Sequence, residues 1–460
     1  MQTQCKSTQY EFSGIGRRSV VAGFDGGRVS SDGGALLLKK TDEAVDVLGR
    51  LGRCFADDRL QEAVEFPVRT LVAQRVMGIA LGYEDLIDHE QLRHDPLLGA
   101  VIGKLESGRA RCAPLAGKST LNRLERFEVH GTSRYHKIRP QAAQIEGLFV
   151  DLFLESHRRV PKRIVLDLDA TDDPLHGQQE GRFFHGYYDS YCYLPLYIFC
   201  GRHLLCAKLR PANIDGSAGA LEEVERIVGQ IRARWPKTQI VLRADSGFAR
   251  DALMSWCEAQ RVDYLLGLAR NTRLQRAIGA SMQQANEQHQ QTGRSARVFQ
   301  ELSYCTRKTW SATRRVVAKA EVLPGKTNPR FVATSLSVRD WDARTLYEDL
   351  YCARGEMENR IKECQLDLFA DRTSTATFRA NQLRLWLSSF AYVLIEALRR
   401  LALQHTDLAR ATVGSIRLKL LKIGAVITLS VRRVKVAMSS AFPLQALFHQ
   451  AFHALSAAAR

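Results

Sequence analysis

The chain has 460 residues, enough for roughly two to four domains, and its composition is that of an ordinary globular protein. With 66 Lys and Arg against 49 Asp and Glu, its formal net charge is +17, which favours a polyanionic partner such as a phosphate backbone. No apolar run reaches the ~20 residues of a membrane-spanning helix, and the start MQTQCKSTQYEF lacks an apolar signal-peptide core, so we expect a cytoplasmic protein with no membrane partner.

Residues 1–158 are predicted to form a mostly helical N-terminal region. In FPVRTLVAQRVMGIALGY, apolar residues recur at helical spacing after Pro67, and KSTLNRLERF shows a second, shorter amphipathic pattern. A basic helix of this second kind could enter a DNA groove, although such charges are more often a solvated face. The basic RRVPKR at 158–163 then reads as a linker.

The stretch IVLDLDAT at 164–171 is predicted to be a buried strand. Because side chains alternate along a strand, Asp167, Asp169 and Thr171 share one face. Carboxylates on so apolar a strand are costly unless they are paired, protonated or bound to a cation, which points to a functional site. The alternative is that the two acids merely end the strand and cap the next turn.

The residues after this strand predict a mixed α/β layer over 159–271. We expect two strands in FFHGYYDSYCYLPLYIFC and LLCAKL, a helix in GALEEVERIVGQIRARWP, a strand at 240–247, a helix around RDALMSWCEAQ and a strand at 264–268. From about 272 the helical pattern breaks, and a Gln-rich stretch gives way to short alternating runs, which predicts a small, basic β-rich insertion over 272–340. Helix returns over 341–405, and a basic C-terminal region, 406–460, includes the strand-like VRRVKV.

Two further candidates for the site come later in the chain. Asp245 follows the strand IVLRA, at the kind of strand end where α/β proteins gather ligands, although it could instead cap the next helix. On the helix from about 344 to 366, spacings of three, four, four and three place five polar residues on one stripe: Tyr351, Arg354, Glu358, Lys362 and Gln365. The alternative is a solvated face with an intrahelical Glu358–Lys362 pair.

Three separated carboxylates near one sheet edge could hold two divalent cations ~3.5 to 4 Å apart, which activate a water or sugar hydroxyl and stabilise the leaving oxygen at phosphorus. Magnesium or manganese suits such hard oxygen ligands. The chemistry predicted from these residues is phosphodiester cleavage and strand transfer.

The order of these motifs resembles the DDE transposases of bacterial insertion sequences, most closely the insertion-sequence 1380 family of the insertion-sequence 4 like group. The resemblance rests on DAT at 169–171, then DDPLHGQQEG and a Tyr-rich strand, LRADSGF at 242–248, and Tyr351, two residues, Arg354, three residues, Glu358. It implies an RNase H-like catalytic core, interrupted by a β-rich insertion and preceded by the helical region.

The resemblance also implies roles for individual residues. Asp169, Asp245 and Glu358 would be the catalytic, metal-binding triad for two Mg²⁺ or Mn²⁺ ions, and Tyr351 and Arg354 would contact DNA near the transposon end. The broader group has a Lys seven residues after the Glu; this chain has Gln365 there, and Lys362 is a possible substitute. Asp167 would be a carboxylate next to the triad that does not itself bind metal, or it would be the first metal ligand in place of Asp169.

The expected partners are transposon-end inverted-repeat DNA, bound in part by region 1–158, and target DNA, with a homodimer joined by both ends on the nucleoid. One rival is a haloacid-dehalogenase-like phosphatase, in which D-x-D-x-T would make Asp167 the nucleophile and Asp169 the acid, with Asp245 and Asp251 near magnesium. That class explains neither the helix stripe nor the basic insertion and tail. A catalytically inactive DNA-binding transposase derivative is the third possibility.

Overall fold

The computed structural model describes residues 9–109, 112–127 and 137–458. The chain divides into two compact units: the described parts of 1–139 together with 390–460, and 140–389. This division differs from the five predicted segments, whose boundaries as functional domains stay a prediction. Over the part of the chain that the structure describes, no helix is both long enough and apolar enough to cross a bilayer.

The unit 140–389 is built on a nine-stranded mixed sheet. Eight of its strands follow one another across the sheet in the order His203–Lys208, Leu196–Cys200, Arg163–Ala170, Gln239–Ala244, Asp263–Leu268, Arg330–Thr334, Arg314–Leu323 and Ala296–Tyr304, and Lys326–Thr327 pairs with Arg314–Leu323. Arg163–Ala170, the predicted IVLDLDAT strand, pairs in parallel with Gln239–Ala244 and antiparallel with Leu196–Cys200. The mixed α/β prediction is confirmed, and the apolar strand lies among the central strands.

The two faces of this sheet are covered by different helices. On one face, Leu166 and Leu242 are fully buried in the same cluster as Ile227 of the helix Ala220–Arg234. On the other face, Val165 and the buried Leu265 pack in a cluster with residues of a helical run. This run consists of Ala343–Thr345, Leu346–Tyr351, Cys352–Arg354, Gly355–Lys362 and Glu363–Asp367. Strand alternation therefore aims Asp167 and Asp169 at the helical run that carries Glu358.

Two further helices of this unit lie before and between the strands, Ala142–Glu155 and Asp251–Ala259. The helix Phe378–Leu398 follows the helical run. The predicted helices at 219–236, 250–260 and 341 onward are confirmed. Helix Ala220–Arg234 ends just before Pro236, as its sequence indicates.

The Tyr-rich stretch at 183–200 is not the single strand predicted from its sequence. It forms three strands, Phe183–His185, Ser190–Tyr193 and Leu196–Cys200. Asp189 adopts a left-handed backbone with φ of 50° in the turn between the first two, and Pro195 stands between the second and third. Apolar and aromatic composition alone concealed this turn. The first two strands join Asp173–Pro174 in a separate three-stranded sheet beside the main one.

The region 272–340 also differs from its prediction in two ways. It begins with the helices Thr272–Ala277 and Gly279–Thr292, because the Gln, Ala and Met of the polar stretch are good helix formers even without an apolar stripe. Its strands do not form a small sheet of their own. Arg330–Thr334 pairs with Asp263–Leu268, so the insertion extends the central sheet.

The other unit is largely helical. Its helices include the predicted Val68–Leu81 and Lys118–Glu125, together with Ala35–Val45, Val47–Arg53, His89–Leu92, Pro96–Ile102, Val413–Ile416 and Gln445–Ala458. Short 3₁₀ segments are Gln61–Ala63 and Leu86–Asp88, and short π-helical segments are Arg399–Leu403 and Arg417–Leu421. Its strands are Gln9–Ile15, Arg18–Gly23, Val29–Ser30, Phe55–Asp57, Ile138–Pro140, Ala425–Ser430 and Arg433–Met438. The last of these includes most of VRRVKV and is largely exposed, as predicted.

Candidate active site

Asp167 forms a closed, buried ion pair with Arg243. It is 3% exposed, and Arg243 of the neighbouring strand donates to both of its carboxylate oxygens, at 2.5 Å from Nε and 2.8 Å from Nη2. Arg243 also donates to the carbonyl of Leu350 on the helical run. Burial raises the pKa of Asp167, and the hydrogen bonds from Arg243 oppose that rise. Both oxygens are therefore used inside the protein.

Strand register brings Asp245 beside Asp169. In the parallel pair, Asp167 lies opposite Arg243 and Leu168 opposite Ala244, the last residue of its strand. The next position on the same face therefore places Asp245 next to Asp169. Burial raises the pKa of Asp169 to about 7; Arg354 opposes this rise, and Asp245 adds to it. The charge of Asp245 thus acts on Asp169, and their shared role in one site stays a prediction.

Asp245 also caps the turn that follows it. Its Oδ1 accepts a hydrogen bond of 2.8 Å from the backbone N–H of Gly247, at the start of Ser246–Phe248. The capping role considered for this residue is thus present. It uses one carboxylate oxygen, and the carboxyl group still faces Asp169 closely enough to influence its pKa.

Tyr351 reaches the same strand ends through a close approach to Gly267. A Cβ at Gly267 would lie 2.5 Å from the Tyr351 hydroxyl oxygen and 2.9 Å from the backbone nitrogen of Ser246. Only glycine leaves room for this approach. Burial raises the pKa of Tyr351. The positive charge of Arg354 opposes this rise, and the negative charge of Asp245 adds to it. Tyr351 therefore lies near Asp245 and Arg354, and its predicted contact with DNA stays a prediction.

Arg354 lies among the three carboxylates. Its Nη2 is 2.7 Å from Oε1 of Glu358, and its Nη1 is 3.5 Å from Oδ2 of Asp169. Although burial opposes the charge, Asp169, Glu358 and Asp245 all help to raise the pKa of Arg354. Glu358 thus pairs with Arg354, and the predicted alternative of an intrahelical pair with Lys362 does not describe its contact. The side chains are partly open to solvent, with 19% of Arg354 and 47% of Glu358 exposed.

The last two residues of the stripe point in different directions. Lys362 is exposed. Gln365 turns inward, and its Nε2 donates to the carbonyl of Asp172 at 3.0 Å and to Oδ1 of Asp173 at 2.9 Å. Sequence reasoning missed both Arg243 and Asp173. The spacing of Arg243, two residues before Asp245 on an alternating strand, was the available signal for the former.

Three of the residues near these strand ends carry oxygen donors of the type that divalent cations prefer. Asp169, Asp245 and Glu358 are hard oxygen donors, and the pKa of Asp169 is raised mainly by burial, with smaller contributions from the charges of Asp245 and Glu358 that a bound cation would offset. In the conformation shown, the positive charge among them is the Arg354 guanidinium. Over the described ranges, no three His, Cys, Asp or Glu side chains are grouped closely enough to hold a metal ion directly.

Three comparisons with known proteins bear on this chain. A family model described as "Transposase DDE domain group 1" matches residues 12–460. A search of curated protein sequences found no match. Among solved structures, the chain is similar to one in "Cryo-EM structure of piggyBac transposase synaptic complex with hairpin DNA (SNHP)", with 10% identity, 86% of this chain and 80% of that chain covered, and a TM-score of 0.40.

Proposed function

From the premise that this chain belongs to the transposase DDE domain group 1 family, we propose that it cuts DNA at the ends of a bacterial insertion sequence and joins the freed 3′ ends to target DNA. Family membership makes it a transposase, an enzyme of DNA recombination. The insertion-sequence 1380 type, the individual steps, the metal ions and the residue roles are our proposal. We also propose that the mixed sheet and its flanking helices form an RNase H-like core.

The observation that carries the proposal is the position of Arg354 among Asp169, Asp245 and Glu358. Three acids from distant parts of the chain face one guanidinium at a partly open edge. In the proposed active state Arg354 leaves the acids for a DNA phosphate, to which a guanidinium can donate two parallel hydrogen bonds. The freed carboxylates would then be available as ligands for divalent cations.

Each residue has a defined task in this scheme. Asp169, Asp245 and Glu358 would hold two Mg²⁺ or Mn²⁺ ions, which when bound supply the polarisation of the attacking hydroxyl and of the leaving oxygen. Tyr351, whose hydroxyl packs beside Gly267, would contact the DNA strand through its partly exposed side chain. Exposed Lys362 contacts a phosphate. Asp167 fixes the strand through Arg243, and we assign it no role as a ligand.

The proposed partners follow from charge and family. A net charge of +17 favours DNA, and we propose that terminal inverted repeats are bound partly by region 1–158, in a homodimer that holds both ends on the nucleoid in the cytoplasm. Phosphate contacts make this affinity fall steeply with salt. The phosphatase alternative has no support in this geometry, since both oxygens of its nucleophile, Asp167, are bound to Arg243.

The test is a nicking and strand-transfer assay on DNA ends taken from the inverted repeats that flank the gene. We expect Mg²⁺-dependent nicking by the full chain, loss of nicking in Glu358→Gln, and retention in Glu356→Gln, a control two residues away that is also exposed. Specific binding without nicking would identify the inactive derivative instead. Equal activity of both variants would refute the assignment of Glu358.

A further inference from the structure

Gln365 forms a cross-link between the two chain segments that carry the proposed ligands. Its side-chain amide donates to the carbonyl of Asp172 and to Oδ1 of Asp173, both in the segment that immediately follows the Asp169 strand. Gln365 itself lies one helical segment beyond Glu358. Two directional hydrogen bonds therefore join residues that are more than 190 positions apart in the sequence.

The acceptor, Asp173, is fully buried. Its Oδ1 takes the bond from Gln365, while its Oδ2 has no hydrogen-bond partner among the described residues. Burial, followed by the charges of Asp371 and Asp172, raises its pKa to about 8, and the Gln365 bond opposes this rise. The buried hydroxyl of Tyr197, whose pKa is raised by burial and by Asp173, also lacks a partner within the described ranges.

Tyr197 connects this buried group to the site. It stands directly opposite Asp169 in the antiparallel pair with Leu196–Cys200, so the two side chains share a face. The polar cluster of Asp173, Tyr197 and Gln365 thus lies next to the triad. Burying polar groups costs folding free energy unless they make specific bonds, so the one bond that Asp173 does make is energetically significant.

We propose that Gln365 and Asp173 are positioning residues that hold the Glu358 helix in register with the Asp169 strand when Arg354 leaves the carboxylates. The inference rests on the function proposed above. Burial of Met357, Ile361 and Cys364 holds this helix against the unit without fixing its register, and the bond from Arg243 to the Leu350 carbonyl fixes the helical run only before Glu358. With Arg354 released, the helical run loses its ion pair with Asp169, and the Gln365 bonds then set the distance of Glu358 from Asp169.

The decisive variant is Gln365→Ala, compared with Gln230→Ala in the full chain. Gln230 is a matched control because its amide also donates to one backbone carbonyl, Gly147 at 2.9 Å, and one carboxylate, Asp151 at 2.7 Å, but it joins two helices that carry no proposed site residue. Each variant loses one hydrogen bond to a backbone carbonyl and one to a carboxylate, so the two variants should lose similar amounts of thermal stability.

We expect only Gln365→Ala to raise the Mg²⁺ concentration for half-maximal nicking, by about 10-fold or more, because residues that orient metal ligands commonly have effects of this size. The Kd for end DNA should stay within about two-fold of wild type, since phosphate contacts supply most of that affinity. Asp173→Asn keeps an acceptor and should retain near wild-type behaviour, whereas Asp173→Ala, which removes one of the two Gln365 bonds, should raise the Mg²⁺ midpoint by less than Gln365→Ala does. A purely structural role would lower the active fraction without shifting the Mg²⁺ midpoint.

A second readout does not depend on activity. Without metal or DNA, hydrogen exchange should accelerate in Gln365→Ala over 355–367 and 169–174, and should remain at the wild-type rate there in Gln230→Ala. An unchanged Mg²⁺ midpoint in Gln365→Ala, or an equal shift in Gln230→Ala, would overturn the inference while leaving the transposase proposal intact. If the wild-type chain nicked no end DNA, the proposed function would fail, and the exchange comparison would still decide whether Gln365 holds the helix to the strand.

Discussion

Asp167 and Asp169 stand two residues apart on one strand face, and each lies near an arginine, yet their surroundings are opposite. Asp167 shares two short hydrogen bonds with one buried guanidinium. Asp169 is 3.5 Å from a guanidinium that is bound more closely to Glu358 and is partly open to solvent. The closed pair satisfies its charges inside the protein. The open trio of Asp169, Asp245 and Glu358 keeps its charges available to an external cation or phosphate.

The largest effect should come from the open trio. Asp245→Asn should lower nicking by about 1,000-fold or more, since a bound metal contributes several kcal/mol to the transition state and each factor of ten is about 1.4 kcal/mol. Stability should be unchanged, because Asn also caps the turn through the Gly247 N–H. Nicking rates and denaturant unfolding measure the two quantities. Intact strand transfer would break the proposed distinction between the trio and the pair.

Breaking the closed pair should damage folding first. Arg243→Met leaves the buried Asp167 carboxylate without its partner, which should cost about 3 to 5 kcal/mol of unfolding free energy. Replacing both members, as in Asp167→Leu with Arg243→Met, should recover part of that loss, because no buried charge remains. Urea unfolding of the single and double variants is the measurement. A single variant as stable as wild type would show that the pair is not structural.

Removing Arg354, which contacts both Asp169 and Glu358, should affect DNA binding more than folding stability. Arg354→Ala should weaken end binding and reduce the slope of log affinity against log salt by about one, as expected for the loss of one phosphate contact. Its stability should change by less than about 1 kcal/mol, since the ion pair is partly exposed. Arg344→Ala, which removes another i,i+4 pair on the same helical run, is the control and should leave the slope unchanged.

Asp173 offers a third kind of carboxyl, one buried without an arginine. In the unfolded chain it ionises near its usual pKa of 3.8, whereas in the folded protein it keeps its proton up to about pH 8. Stability should therefore fall as pH rises between those values, with Asp173 contributing at most about 1.4 kcal/mol per pH unit. Asp173→Asn should flatten this dependence, as measured by urea unfolding from pH 5 to 8. Parallel curves for the two proteins would mean that Asp173 ionises freely.

Part of the contrast between Asp167 and Asp169 could be predicted from the sequence. The rest depends on contacts between distant segments, which local sequence does not determine. Alternation along IVLDLDAT indicates that Asp167 and Asp169 share a face, and the structure confirms it. It cannot indicate which acid is closed, because that depends on Arg243 in another strand and on strand register. Gln365 likewise finds its partner across the fold. The turn within the Tyr-rich stretch and the Gln-rich helix were mispredicted because local composition favoured other structures.

The way the insertion joins the central sheet limits how the protein can be shortened. Arg330–Thr334 pairs antiparallel with Asp263–Leu268, the strand that contains Gly267, from Leu265 opposite Thr334 to Leu268 opposite Phe331. Deleting 272–340 to obtain a minimal enzyme would remove the strand that pairs with Asp263–Leu268 on this side. The backbone amides and carbonyls of Asp263–Leu268 there would be left unpaired, and such an exposed strand edge promotes self-association. A miniaturised version for genome engineering would therefore have to lose residues elsewhere.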